Sequence, residues 1–233
     1  MANRPIYIVN TTIEELVITK SVDFKWFPGM SKSQKQKSIQ SLHEAAKKEF
    51  TILNILEISS KSEIELGVSL SAFNLMVKTE KREFSVETAF QSSKKFERGG
   101  PYVDLLKGTS REAKKDDRLK QSGDLVEFIF FDKRFDLTPR TFFYDWLYIN
   151  ALNQNQELAN QLEAYTAFTD IEFNPKKSIN CQACSAALYK SLKLQNLLDE
   201  ALKSPDNFLN ILKLHYQNKD KNIRIQASLP GLS

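Results

Sequence analysis

The sequence predicts an α+β fold: a small mixed β-sheet surrounded by helices, in a single domain. A chain of 233 residues is one domain's worth and long enough to bury a proper core. Its composition, 41% hydrophobic and 27% charged, is that of a soluble globular protein. Short runs rich in Val, Ile and aromatics are interspersed with longer stretches of helical periodicity.

The elements follow in chain order. Pro5 to Val9 and Val22 to Phe27 read as strands, and Pro28-Gly29 as a turn. Ser31 to Phe50 reads as a helix with Ile39, Leu42, Ala46 and Phe50 on one stripe and His43 at the border of the core. Leu53 to Ser59 is a buried strand that runs into Ser60, Lys61 and Ser62, hydroxyls and an amine suited to an anion or a sugar, or to ordinary turn chemistry. Gly67 to Val77 reads as a strand or a turn–strand unit, and a charged hairpin from Lys78 to Glu83 follows. Beyond the central stretch, Asp104 to Leu106 and Ser110 to Arg118 are short helices, and Leu125 to Phe131 is an apolar strand. Thr138-Pro139 marks the start of a helix from Arg140 to Leu152. It carries Phe142, Phe143, Trp146 and Ile149 on one face, with Asp145 at its edge. Leu158 to Tyr165 is helical, Thr169 to Phe173 alternates like a half-buried strand, and Asn180 onward is a small-residue helix continued by Leu188 and Leu192. Asp206 to Tyr216 is a last amphipathic helix, and Lys219 to Ser233 a polar tail. Residues 1–203 are expected to form the domain, with 204–233 appended to it.

The stretch from Ser85 to Gly100 organises the rest. Ser85 is a good N-cap and Gly99-Gly100-Pro101 a stop, which predicts a helix of about three to four turns. At about 100° per residue, Glu87, Gln91 and Lys94 fall on one stripe, and Lys95 lies further round. A carboxylate, an amide and an amine then point the same way. The plainer reading is a solvated face whose charges suit the helix dipole.

Charge and cysteine content bound the function classes. The net charge of +4 permits phosphate contacts without demanding them. The basic, acid-free start of the first helix, Ser31 to Ser38, is a solvated helix start or a phosphate-contacting surface. Arg111, Lys114 and Arg118 share one side of their segment and could hold a pair of phosphates. Cys181 and Cys184 form a lone Cys-x-x-Cys, which falls short of a structural zinc site, so free thiols and no metal are expected. No apolar run suffices for a membrane span, and the amino terminus lacks the apolar stretch of an export signal. Together with the few cysteines this points to a cytoplasmic protein.

Taken together, the motifs resemble a known family. Leu70-Ser-Ala-Phe73, Ser85-Val-Glu-Thr-Ala-Phe-Gln-Ser-Ser-Lys94, Arg111-Glu-Ala-Lys114 and Asp170-Ile-Glu172 resemble the NADAR superfamily, whose members carry a Ser-Asn-Phe-like turn and then Val-Glu-His-Tyr-Phe-Gln-Ala-x-Lys. Trp26-Phe-Pro-Gly, Leu56-Glu-Ile-Ser-Ser-Lys-Ser62, Gly99-Gly-Pro, Tyr144-Asp-Trp-Leu-Tyr-Ile-Asn150 and the run from Phe168 to Gln182 are similar to the antitoxins encoded beside DarT-type DNA ADP-ribosyltransferase toxins. The likeness covers most of residues 5 to 200. The departures are Thr88-Ala89 in place of His-Tyr, and the absence of a Trp-Gly-x-Gly segment before the last core helix.

The resemblance implies a NADAR-like domain with N-glycosidic chemistry: removal of ADP-ribose from guanine in single-stranded DNA, reversing the toxin's modification. ADP-ribose is the product, and the cognate toxin is a further partner. Such a reaction builds positive charge on the sugar and negative charge on the leaving base, so it needs a carboxylate and a proton donor. Lys94 is the expected nucleophile, forming a Schiff base with the opened ribose once its pKa is lowered by burial or by Lys95. Glu87 moves protons, Asp145 is the first choice for the second acid, and Asp170 and Glu172 stand behind it. Ser59, Ser60, Lys61, Asn74, Gln91, Arg111, Lys114 and Asn180 are expected substrate contacts, with Phe73 or Trp146 stacking on a base. No cofactor is needed. The rival readings are a glycosidase for small nucleotide metabolites and a non-catalytic binder that neutralises the toxin by contact.

Overall fold

A computed structural model of the chain describes residues 1–50, 54–176 and 178–219. Strands β1 (Ala2–Val9) and β2 (Val17–Phe24) pair antiparallel over their whole length, from Ala2↔Phe24 to Val9↔Val17. Helix α1 (Lys32–Phe50) lays Ile39, Leu42 and Ala46 against Ile6, Val22 and Phe24 of this ribbon. Strand β3 (Ile55–Glu57) is buried along its length, and the expected Leu53 at its start lies outside the described residues.

Next comes a short helix, α2 (Glu65–Ser69), where a strand or a turn–strand unit was expected. Gly67 makes it possible. A Cβ there would stand 2.0 Å from the Glu57 carbonyl oxygen, so only glycine lets this helix rest directly on β3. The charged hairpin joins β4 (Met76–Lys78) to β5 (Glu83–Ser85), as the sequence indicates.

The central helix is shorter than its sequence suggests: α3 spans Val86–Ser92. Ser92 and Ser93 turn their hydroxyls back onto the Ala89 carbonyl, at 3.0 and 2.7 Å, competing with the helical ladder. The chain then enters β6 (Lys94–Phe96), so Lys94 sits on a strand and not on the helix. After a 3₁₀ turn at Val103–Lys107, a capping box between Thr109 and Glu112 starts α4 (Ser110–Lys115), and α5 (Arg118–Gln121) follows. Strands β7 (Leu125–Phe130) and β8 (Lys133–Phe135) complete an antiparallel sheet with β6.

Helix α6 (Phe142–Gln154) starts after Thr141, later than the Thr138-Pro139 signal suggests. It is buried on every side, not on one stripe, because aromatic rings of β7 and β8 pack on it and β4, α3 and later helices surround the rest. Its Phe143 meets Phe128, Phe135 and Phe90 with ring centroids 4.7–6.0 Å apart. Helix α7 (Gln156–Gln161) and a 3₁₀ turn lead into β9 (Ala167–Thr169). Strand β9 pairs antiparallel with β1 and parallel with β3, giving the mixed sheet β2-β1-β9-β3.

The predicted strand over 169–173 stops at Thr169. The Asp170 carboxylate accepts the N–H groups of Glu172 and Phe173, at 3.0 and 3.2 Å, and folds these residues into a turn. Helix α8 (Gln182–Leu194) places Ala183, Ala186 and Ala187 where it closes on β1, β9 and α6. Helices α9 (Leu198–Leu202) and α10 (Pro205–Ile211) follow, the latter capped by Ser204. Residues 213–219 are helical, so the predicted last helix is broken at Leu212. The expected tail beyond 219 lies outside the described residues. The fold is thus α+β with small sheets among helices, but among the described residues three sheets share the work the sequence assigned to one.

Candidate functional site

A cavity of about 1130 Å³ opens where α3, β6, α4 and the turn after β9 converge. That exceeds the roughly 300–1,000 Å³ of ordinary small-molecule sites and would hold a dinucleotide-sized group. Ser85 caps α3 by accepting the Thr88 N–H at 3.1 Å, and this fixes the first turn, which carries Glu87. Gln91, one turn on, donates to Oε1 of Glu87 at 2.9 Å and leaves its own carbonyl oxygen buried without a partner. Lys94 reaches the same cavity from β6, its ammonium 4.9 Å from the centre of the Phe90 ring. Its backbone is held by pairing with Phe128 and by Gly100, where a Cβ would come within 2.3 Å of the Lys94 carbonyl. Glu87, Gln91 and Lys94 therefore meet through a helix–strand junction and not along one helix.

The electrostatics are those of a partly dry site. Burial lowers the Lys94 pKa; the Glu87 charge works against this, and Lys114 adds to it. Lys114, at the exposed rim, stands 3.8 Å from Glu87 Oε1 and 5.0 Å from the centre of the Phe73 ring. On the opposite wall, burial pushes the Asp170 carboxyl well above the usual carboxylate range, and the Glu57 charge pushes it further. Burial raises Glu57 too, against hydrogen bonds from the Ile171 N–H and the Thr169 hydroxyl at 2.8 and 2.6 Å. Tyr144 lines the cavity with its phenol pushed well above its ordinary value, by burial first and then by Glu87.

A family model described as the DarT1-associated NADAR antitoxin matches residues 2–222, nearly the whole chain. The chain belongs to this family. A search of curated proteins returned no match. The NADAR antitoxin role ties the protein to a DarT toxin as its counterpart. Among the described residues no helix of the NADAR chain is long and apolar enough to cross a membrane, and no group of three or more His, Cys, Asp or Glu side chains is placed to hold a metal. Cys181 and Cys184 are free and buried.

The NADAR cavity gathers most of the side chains singled out in the sequence. Ser59, Ser60, Lys61, Phe73, Glu87, Gln91, Lys94, Arg111, Lys114, Asp170, Glu172 and Asn180 all line it. The Asn180 side-chain carbonyl is, like that of Gln91, buried without a partner. Three candidates lie elsewhere. Asp145 is carried into the core by the all-round burial of α6; its carboxylate accepts the hydroxyls of Ser185 at 2.6 Å and Tyr216 at 3.3 Å. Trp146 packs among Phe130 and Phe135, with centroids 6.4 and 5.1 Å away, and offers no face to the cavity. Asn74 turns its amide onto the Val68 carbonyl at 2.9 Å. The neighbouring cation that bears on Lys94 is Lys114, not Lys95. Arg118 is absorbed by Asp104 and Asp116, at 2.7 and 2.8 Å, and does not join Arg111 and Lys114.

Sequence reasoning missed Tyr144, Arg140, Gln182 and Glu57. Gln182 accepts the Ala72 N–H and donates to the Ile58 carbonyl, both at 2.7 Å, tying two walls of the NADAR cavity together. Glu57 carried a signal: a carboxylate in a run of Ile55, Leu56 and Ile58 is an acid in a buried strand, and such acids need a reason.

Proposed function

We propose that this NADAR antitoxin is an ADP-ribosylglycohydrolase that removes ADP-ribose from guanine bases of single-stranded DNA by cleaving the ribose–base N-glycosidic bond. The observation that carries the reading is the convergence of Glu87, Lys94 and Asp170 on one large cavity rimmed by Lys61, Arg111 and Lys114. The rim cations suit a pyrophosphate, and the orphaned carbonyls of Gln91 and Asn180 suit ribose hydroxyls or base N–H groups.

In this mechanism the neutral Lys94 amine attacks the anomeric carbon. The bond from that carbon to guanine breaks, its electron pair leaves with the base, and Asp170 supplies the proton the base takes up. Glu87 accepts a proton from the ammonium that the attack creates on Lys94 and stabilises positive charge on the sugar. Ring opening gives a Schiff base on Lys94, and addition of water releases ADP-ribose and restores the amine. Burial of Lys94 favours its neutral form and so favours attack.

The test is mass detection of free ADP-ribose released from a defined guanine-ADP-ribosylated single strand. The wild-type chain should release it; Lys94→Ala and Glu87→Gln should not, with thermal transitions intact. Borohydride should trap an adduct on Lys94. Full activity in Lys94→Ala would remove the nucleophile role. Protection of cells from the toxin by both inactive variants would favour neutralisation by contact, and turnover of free nucleotides alone would favour a metabolite glycosidase.

A further inference from the structure

The turn that bears Asp170 is gripped from behind by one buried side chain. Glu57, 2% exposed, extends its two carboxylate oxygens to the residues on either side of Asp170: Oε2 accepts the Thr169 hydroxyl at 2.6 Å, and Oε1 accepts the Ile171 N–H at 2.8 Å. The parallel pairing of β3 with β9 sets this register, with Glu57 opposite Thr169. Thr169 is held in turn by Nε2 of His43 of α1 at 2.8 Å. A buried carboxylate costs several kcal/mol to desolvate, and a glutamine could meet the Ile171 N–H with its amide oxygen and the Thr169 hydroxyl oxygen with its NH₂ without that cost.

We infer that Glu57 is the positioning residue of this site: by gripping the chain on both sides of Asp170 it fixes that carboxyl in the cavity wall, and by holding the negative charge itself it leaves the proton on Asp170. The Glu57 charge disfavours ionisation of Asp170, and of two interacting carboxyls the one with the better-placed donors keeps the charge. Glu57 has a hydroxyl and a backbone N–H on separate oxygens. Asp170 has two N–H groups on a single oxygen, leaving the other free to carry a proton into the cavity.

The other groups around Asp170 are compatible with this assignment. Glu172, in the same turn, adds negative charge and is partly neutralised by Lys35 of α1 at 3.0 Å. Arg4 of β1 is a cation in the neighbourhood of Asp170. Tyr7 of β1, Tyr144 and Tyr148 of α6, and Cys181 at the head of α8 also face it, and burial raises all four and keeps them neutral.

The inference rests on the reading of Asp170 as proton donor to the leaving base, and the test separates the two. Glu57→Gln can keep the fold: its amide oxygen accepts the Ile171 N–H, and its NH₂ donates to the Thr169 hydroxyl oxygen once that hydroxyl turns to a deprotonated His43 Nε2. Turnover of the guanine-modified oligonucleotide should fall about tenfold or more in kcat with KM within about twofold. The alkaline limb of kcat should move down by about one pH unit or more. Independently of substrate, the carboxyl-carbon NMR titration of Asp170 should shift its midpoint down in the variant. Thr169→Val, which removes one donor from Glu57, should shift both in the same direction by less. An unmoved Asp170 midpoint, or a loss of kcat with the alkaline limb in place, would overturn the inference. If the oligonucleotide is not a substrate but the Asp170 midpoint still falls in Glu57→Gln, the substrate reading fails and the positioning role stands.

Discussion

The Lys114 ammonium stands 3.8 Å from Oε1 of Glu87, so the acid beside the proposed nucleophile has its own cation at the rim. Lys94 feels both: Glu87 raises its pKa, and Lys114 lowers it. The two variants should therefore move the Lys94 amine in opposite directions. Glu87→Gln removes the nearby negative charge and should make the amine more reactive at pH 8, even as turnover is lost. Lys114→Ala removes a like charge and should make it less reactive. Lys114 is more than half exposed, so its effect should not exceed about fivefold. The measurement is the rate of trinitrophenylation at Lys94, read by peptide mass. The same direction of change in both variants would mean that the Lys94 environment is set by burial alone.

The raised Asp170 carboxyl makes a stability prediction. A carboxyl whose folded pKa lies above its unfolded value contributes stability that is complete below the unfolded pKa, about 4, and is lost as pH rises through the folded value. Asp170→Asn cannot ionise, and its side-chain oxygen can still accept the N–H groups of Glu172 and Phe173. Its melting temperature should exceed that of the wild-type chain at pH 8, and the gap should close below about pH 4. Each kcal/mol gained corresponds to about 2–4 °C for a chain of this size. A constant difference at all pH values would place the effect in packing and not in the proton.

How much of this was legible in the sequence depends on how local the signal was. Ser85 announced the start of α3, and the gathering of Glu87, Gln91 and Lys94 followed from motif and resemblance. The route was misread: the helix ends at Ser92 because the hydroxyls of Ser92 and Ser93 fold back and β7 recruits the next residues as a strand. That recruitment is a tertiary event with no local signature. Asp145 fails for the same kind of reason. On a one-sided helix it would border a cavity, but α6 is buried all round, and the nearest groups that satisfy it are Ser185 and Tyr216. The alternation of Thr169 to Phe173 matched a strand pattern, yet the Asp170 side chain captures the N–H groups of the residues ahead of it.

His43 yields an acid-stability prediction of the opposite sign to that of Asp170. Burial, helped by Lys47, brings its pKa down from 6.5 to about 4. A base with a depressed folded pKa contributes stability that is present above its unfolded pKa and is lost as pH falls toward the folded value. Between pH 7 and pH 4 the neutral His43 should therefore cost the fold about 3 kcal/mol. In His43→Gln, whose amide can still meet Thr169, that part of the acid sensitivity should vanish. Urea unfolding of both chains at pH 7 and pH 4.5 measures the difference. Equal losses in the two chains would mean that His43 is charged, or free to leave Thr169, in the folded state.

The contact between α2 and β3 sets the last prediction. Gly67 is where the helix backbone lies on the Glu57 carbonyl, and a Cβ would meet that oxygen at 2.0 Å and the Ser62 hydroxyl at 2.5 Å. The carbonyl is backbone and cannot rotate away. Gly67→Ala should cost about 3 kcal/mol or more by forcing α2 off the strand. Ser62→Gly in the same chain would relieve only the side-chain clash and should recover a minor part. Because the displaced strand carries Glu57, the damage should reach the cavity: the Asp170 titration midpoint should change in Gly67→Ala but not in Gly108→Ala, whose Cβ would approach only Leu105 and Glu112. A Gly67→Ala chain with wild-type stability would mean that α2 and β3 stand further apart than a 2.0 Å Cβ approach implies.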